Sequence, residues 1–163
     1  MTSSHIRPRL VELTSPRDVT GVSVRTSNAR EGDPATAALP ALWGRFMAAG
    51  GLPTTVFSVY TDYESDVHGA YTVVLGREAG PSTSGERTVR VVPGRYAVFT
   101  STGDMPAAVI AGWQAVWAYF AEPDAPARAY TTDFEQYEPE DPSTVHIHVA
   151  VRAEASRERP VRA

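Results

Sequence analysis

Two rhythms of apolar and polar residues run along the chain, one with a period of two and one near 3.6, and they divide it into elements. Residues 9–14 (Arg-Leu-Val-Glu-Leu-Thr) alternate in the way of a short half-buried strand, closed by a Ser15-Pro16 turn. A second strand is predicted over residues 19–26, with Val22 and Val24 on one face. Asp33-Pro34 predicts a helix start, because Asp accepts from first-turn amides and Pro is pre-set for the first helical position. Leu39, Leu42, Trp43 and Phe46 give that helix its apolar stripe to about Ala49, and Gly50-Gly51 with Pro53 end it. Strands follow over residues 55–63 and 70–77, then a Gly-, Ser- and Pro-rich loop from Gly80 to Glu86.

Beyond the loop the order returns. Residues 88–92 are extended, Pro93-Gly94 turns, and residues 95–101 form a strand. A second helix is predicted from Gly103-Asp104 to about Ala121, with a stripe of Val109, Ile110, Trp113, Val116, Trp117 and Phe120. Residues 128–137 and 145–152 supply the last two strands. One constant shift carries Trp43 onto Trp117, Phe46 onto Phe120, Val24 onto Val98, Tyr60 onto Phe134, Tyr63 onto Tyr137, Val73 onto Ile147 and Leu75 onto Val149. The expected fold is therefore α+β: duplicated β-α-β-β units forming a pseudo-twofold antiparallel sheet with two helices and a pocket between the units. A single domain is expected over residues 8–152, its first unit about 8–78 and its second about 86–152, with 1–7 and 153–163 as flexible tails.

Composition narrows the function classes. A hydrophobic content of 42% with 21% charged residues is that of a globular domain, and a net charge of −4 provides no basic field for nucleic acid. Cysteine is absent, which removes disulfides, thiol nucleophiles and thiolate metal sites. No apolar run is long enough for a membrane span, and Met-Thr-Ser-Ser-His does not read as a signal peptide, so a cytoplasmic protein is expected. His146 and His148 share a strand face, but no third ligand stands at a sensible spacing and no metal is expected. No Gly-X-Ser-X-Gly elbow, Gly-rich phosphate loop or catalytic cysteine marks a nucleophile-base arrangement, and no cofactor is expected.

The candidate chemistry gathers at Asp133-Phe134-Glu135-Gln136-Tyr137. On a strand, Glu135 and Tyr137 share one face and Phe134 the other. If Phe134 faces a core, Glu135 faces water or a cavity. An apolar cavity holding one carboxylate suits an organic cation, because a buried charge must be paired; a glutamate on a solvated sheet face is the alternative. Trp113 and Trp117 lie one helical turn apart on one face. Trp117 reads chiefly as core packing, since Trp43 holds the equivalent place, and it stands with Trp113 as a candidate ligand wall. Tyr137 shares the face of Glu135, while Phe57 and Tyr71, on neighbouring strands of the first unit, are candidates for the opposite wall. Asp133, Glu138, Glu140 and Asp141 read as an acidic, solvated run that would steer cations inward.

Val92-Pro93-Gly94-Arg95-Tyr96-Ala97-Val98-Phe99, Gly112-Trp113 through Trp117, Asp133 to Tyr137 and Leu42-Trp43-Gly44-Arg45-Phe46 together resemble the GyrI-like, or AraC-type effector-binding, superfamily over about residues 8–152. The resemblance implies a pocket between the two units for bulky, lipophilic, often cationic molecules, with Glu135 as the ligand-facing carboxylate. It begins at about residue 8, so no helix-turn-helix is expected ahead of it and no direct nucleic-acid binding. The expected function is binding of bulky, lipophilic, preferably cationic aromatic small molecules, for sequestration or sensing, through Glu135, Trp113, Tyr137, Tyr71, Phe57 and Trp117. The alternatives are hydrolysis of cyclopropane-bearing alkylating natural products, with Glu135 as the catalytic group, and modulation of gyrase through the acidic surface.

Overall fold

The period-two stretches become eight strands in the computed structural model, which describes residues 6–49, 54–78 and 86–152. In chain order the elements are β1 (Arg9–Leu13), β2 (Arg17–Ser27), α1 (Asn28–Glu31), α2 (Leu39–Ala48), β3 (Val56–Thr61) and β4 (Ala70–Glu78). Then come β5 (Arg87–Val91), β6 (Gly94–Thr102), α3 (Ala107–Phe120), β7 (Asp133–Glu138) and β8 (Asp141–Ala150). The expected ends of the first helix at Gly50-Gly51 and Pro53, most of the Gly80–Glu86 loop and most of both tails lie outside the described residues.

All eight strands join one antiparallel sheet in the order β1-β6-β8-β7-β3-β4-β2-β5. Read from its two ends this order is the same: β1 answers β5, β6 answers β2, β8 answers β4, and β7 meets β3 at the centre. The duplication expected from the sequence is thus a pseudo-twofold about the β3–β7 junction. Its edges are exchanged, since β1 leaves the first half to pair with β6. A third helix, the single turn α1, was not anticipated.

The register corrects two of the residue pairings. Val73 and Ile147 are equivalent, and Val24 pairs with Val73 while Phe99 pairs with Ile147. Val24 therefore matches Phe99 rather than Val98. Likewise Tyr60 pairs with Val73 and Glu135 with Ile147, so Tyr60 matches Glu135 rather than Phe134. A one-residue slip moves a strand residue to the other face, which is why one constant shift through the whole repeat fails on these strands.

Helices α2 and α3 cover one face of the sheet, α2 on β2 and β4, α3 on β6 and β8. Between sheet and helices lies a core that includes Leu42, Phe46, Tyr60, Val73, Phe99, Val116 and Ile147. Gly112 brings α3 close to the sheet, since a Cβ there would sit 2.6 Å from Ile147 Cδ1. The other face is buried too. Strand β5 stands three places from β3 in the sheet yet touches it, so the sheet curls and encloses a second core of Phe57, Val59, Val91, Tyr96, Val98 and Phe134. Strand β3 is buried throughout, which explains its nearly continuous apolar run.

Two boundaries differ from expectation for local reasons. Helix α2 begins at Leu39 because the Glu31 carboxylate, not Asp33, accepts from the amides of Ala38 and Leu39 at 2.9 and 3.2 Å; Asp33 closes a turn onto Ala35. The strand expected from residue 128 starts at Asp133, because Tyr130 has a left-handed φ of 55° that interrupts the extended run.

Candidate ligand-binding site

Strand β7 places Asp133, Glu135 and Tyr137 under the helices and Phe134 on the opposite face. Phe134 anchors the register: it stacks on His148 with centroids 4.1 Å apart and planes at 12°, and packs near Phe57 and Tyr96. Glu135 accordingly points to the helix layer at the β3–β7 junction, the centre of the pseudo-twofold.

Glu135 is buried away from bulk water. It is 3% exposed, and three neutral donors surround its carboxylate. Tyr60 Oη and Trp113 Nε1 each donate to Oε2 at 2.7 Å, and Tyr137 Oη donates to Oε1 at 2.5 Å. Among the described residues it has no cationic partner. Burial pushes its pKa above the usual carboxylate range, and the three hydrogen bonds, which favour the anion, hold back part of that rise. The phenols of Tyr60 and Tyr137 are pushed well up, first by burial and then by the adjacent Glu135 charge, so both remain donors.

Rings enclose the carboxylate. Trp113 packs against Tyr60 at 5.1 Å and Trp117 at 6.3 Å, and Trp43 meets Tyr137 edge-on at 5.2 Å. Tyr71 lies 5.4 Å from Tyr60 and 5.9 Å from Tyr63, with its hydroxyl donating to Asn28 Oδ1. The structure thus brings Glu135, Trp113, Tyr137 and Tyr71 together, with Trp117 at the outer edge.

Several expectations are corrected. Phe57 lies on the other sheet face, in the second core, so it is not part of this cluster. Trp117 is 43% exposed rather than packed in the core, since it projects from the outer side of α3. At the junction where a pocket between the units was expected stand the rings of Trp113, Tyr60, Trp43 and Tyr137, packed against one another. A surface cavity of about 650 Å³ lies elsewhere, beside Arg7, Arg9, Thr100 and Asp104. Asp133 is not part of a solvated run. It is fully buried, paired with Arg128 at 2.7 Å, and also accepts from Tyr63 Oη and the Ala150 amide. Nor is His148 a solvated sheet residue, for burial against Phe134 and Tyr96 pushes its pKa down to about 4.

Tyr60 and Trp43 belong to the cluster and escaped the sequence reading. The slipped pairing of Tyr60 with Phe134 hid the first, and reading Trp43 as core hid the second. No group of three or more potential metal ligands occurs among the described residues, and no described helix is long and apolar enough to cross a membrane.

No curated protein matches the chain. The solved structure of SAV2435 bound to tetraphenylphosphonium has the same fold at 17% identity, with a TM-score of 0.72, covering 94% of this chain and 98% of that one. An integron cassette protein from the mobile metagenome of Vibrio cholerae is 39% identical, with a TM-score of 0.79, covering 90% of this chain and 96% of that one. The family model for Cass2, the integron-associated effector binding protein, matches residues 9–151. The effector-binding resemblance read from the sequence therefore resolves to a specific group, and the chain belongs to the Cass2 family of integron-associated effector binding proteins.

Proposed function

We propose that this protein binds bulky, lipophilic, aromatic monocations at Glu135. The observation that carries the reading is a buried carboxylate held by three neutral donors, ringed by aromatic side chains and lacking a cation of its own. A ligand cation supplies the missing charge. At an effective dielectric of about 20, opposite charges 4 Å apart attract by about 4 kcal/mol, and each aromatic face adds about 0.5–2 kcal/mol.

Access to the carboxylate requires a side chain to move, because Glu135 is only 3% exposed. Trp113 is the side chain to move, because its single hydrogen bond to Glu135 is replaced by the ligand's charge and its neighbour Trp117 is already half out of the core. The effector-binding description of the family supports small-molecule binding, and the tetraphenylphosphonium held by SAV2435 supports the choice of ligand class.

Calorimetric titration of tetraphenylphosphonium into wild type and Glu135→Gln tests the reading. The expected result is micromolar binding by wild type, weakened at least about tenfold in the variant, while a neutral aromatic of similar bulk binds both alike. Equal affinity of the cation for both proteins overturns it.

A further inference from the structure

Among the described residues two carboxylates are buried, Asp133 and Glu135. They stand two apart on β7, on one face, and about 6.6 Å apart along the strand. One has a counter-ion and the other does not. Arg128 reaches Asp133 Oδ2 at 2.7 Å with both side chains out of water, and its guanidinium lies 4.5 Å from the centre of the Tyr130 ring.

The two carboxylates share a wall. Tyr60 donates to Glu135 and Tyr63 to Asp133, and both rings pack on Tyr71 between them. A two-ring ligand lying along this wall would bring its ends to the two acids. The pair with Arg128 is not a full hydrogen-bonding solution, since Arg128 Nε is buried without a partner. Removing one partner of a buried ion pair leaves the other group uncompensated, so Arg128 decides whether Asp133 is available as a second acid in the cluster.

We infer that Arg128 is a specificity-determining residue: by neutralising Asp133 it leaves the aromatic cluster one unpaired negative charge, which restricts the site to singly charged cations. This rests on the cation-binding reading of Glu135. Without Arg128, the Tyr63 hydroxyl and the Ala150 amide still hold Asp133 in place as an acceptor, and a second acid without a counter-ion stands along the same wall, where a second cationic centre of a ligand can pair it.

The test compares a methylated phenylpyridinium with methyl viologen, a monocation and a dication on the same two-ring frame, in wild type, Arg128→Gln, Arg128→Lys and Asp133→Asn. Circular dichroism and melting first show which variants are folded. Wild type is expected to favour the monocation at least about tenfold. Arg128→Gln moves that ratio towards the dication by at least about tenfold, and Arg128→Lys restores it. Asp133→Asn leaves the Arg128 charge unbalanced, so it weakens both ligands and the dication more; this result stands in if Arg128→Gln does not fold. An unchanged ratio in the folded variants overturns the inference while leaving the monocation site intact. Failure of the monocation to bind wild type overturns the site itself, and the inference with it.

Discussion

Tyr60 and Glu135 occupy equivalent positions in the two halves of the protein, and the first donates a hydrogen bond of 2.7 Å to the second across the pseudo-twofold. The duplication therefore does more than build a sheet. It places two side chains of different character at the junction, where symmetric partners meet. A phenol in one half serves the carboxylate in the other, and the symmetry is broken at the buried acid.

Tyr60→Phe removes that donor and leaves Trp113 and Tyr137 in place. The bond favours the anion, so its loss raises the Glu135 pKa further. Cation affinity should follow: below the raised pKa it falls about tenfold per pH unit, because a proton must leave before the cation is paired. Titrations of tetraphenylphosphonium from pH 5 to 9 should show the midpoint of the variant displaced to higher pH, with a similar plateau. A curve that coincides with wild type would show that Tyr60 does not tune the acid.

Glu135→Gln should also change how stability depends on pH. The folded-state pKa of Glu135 lies above its unfolded value, so its contribution is fully present below the ordinary carboxylate pKa and is lost as pH rises through the raised one. Wild type should thus lose melting temperature relative to Glu135→Gln as pH rises through that interval, and the difference should level off above it. Saturating monocation should reverse the trend for wild type alone. Parallel melting curves across this range would count against a buried, ionisable Glu135.

How far the site was legible depended on which residues carried unambiguous periodicity. The alternation in Asp133 to Tyr137 fixed the faces of β7, so Glu135 and Tyr137 share one face; the i, i+4 spacing of Trp113 and Trp117 did not tell which of them turns inward, and it is Trp113 that reaches Glu135. Phe57 did not, because β3 is buried on both faces and its apolar run gives no sign of which face is which. The burial of Asp133 was also hidden: its partner Arg128 comes from a segment whose path turns at Tyr130, a backbone choice that the local sequence does not announce. The duplicated units and their antiparallel sheet were legible in the repeat, whereas the exchange of the edge strands β1 and β5 was not, since each is short and pairs with the other half.

His148 makes a second, opposite pH dependence. Stacked on Phe134, it is held to a pKa of about 4, below its ordinary 6.5. Its contribution is fully present above the unfolded pKa and is lost as pH falls through the window from about 6.5 to 4. The full effect is at most roughly 3 kcal/mol. His148→Phe keeps the stacking and removes the titration, so urea unfolding at pH 7 and pH 4.5 should show a smaller acid loss than wild type. An equal loss would assign acid sensitivity to other groups.

The close approach of β2 and β4 makes its own prediction. Gly21 and Gly76 face each other on β2 and β4, and a Cβ on Gly76 would lie 1.9 Å from Thr20 O and 2.7 Å from Gly21 Cα. Both obstacles are backbone, so no side chain can swing aside and the two strands must part. Gly76→Ala should cost at least about 3 kcal/mol in denaturant unfolding. Gly44, within α2, is the control: nothing lies within 4 Å of a Cβ there, and its φ is not left-handed. Gly44→Ala should instead stabilise by about 0.5–1 kcal/mol, as the alanine loses less backbone freedom on entering the helix. The opposite signs of two identical substitutions separate the effect of close strand contact from that of chain entropy. If Gly76→Ala is as stable as wild type, β2 and β4 do not approach as closely at Gly21 and Gly76 as the structure places them.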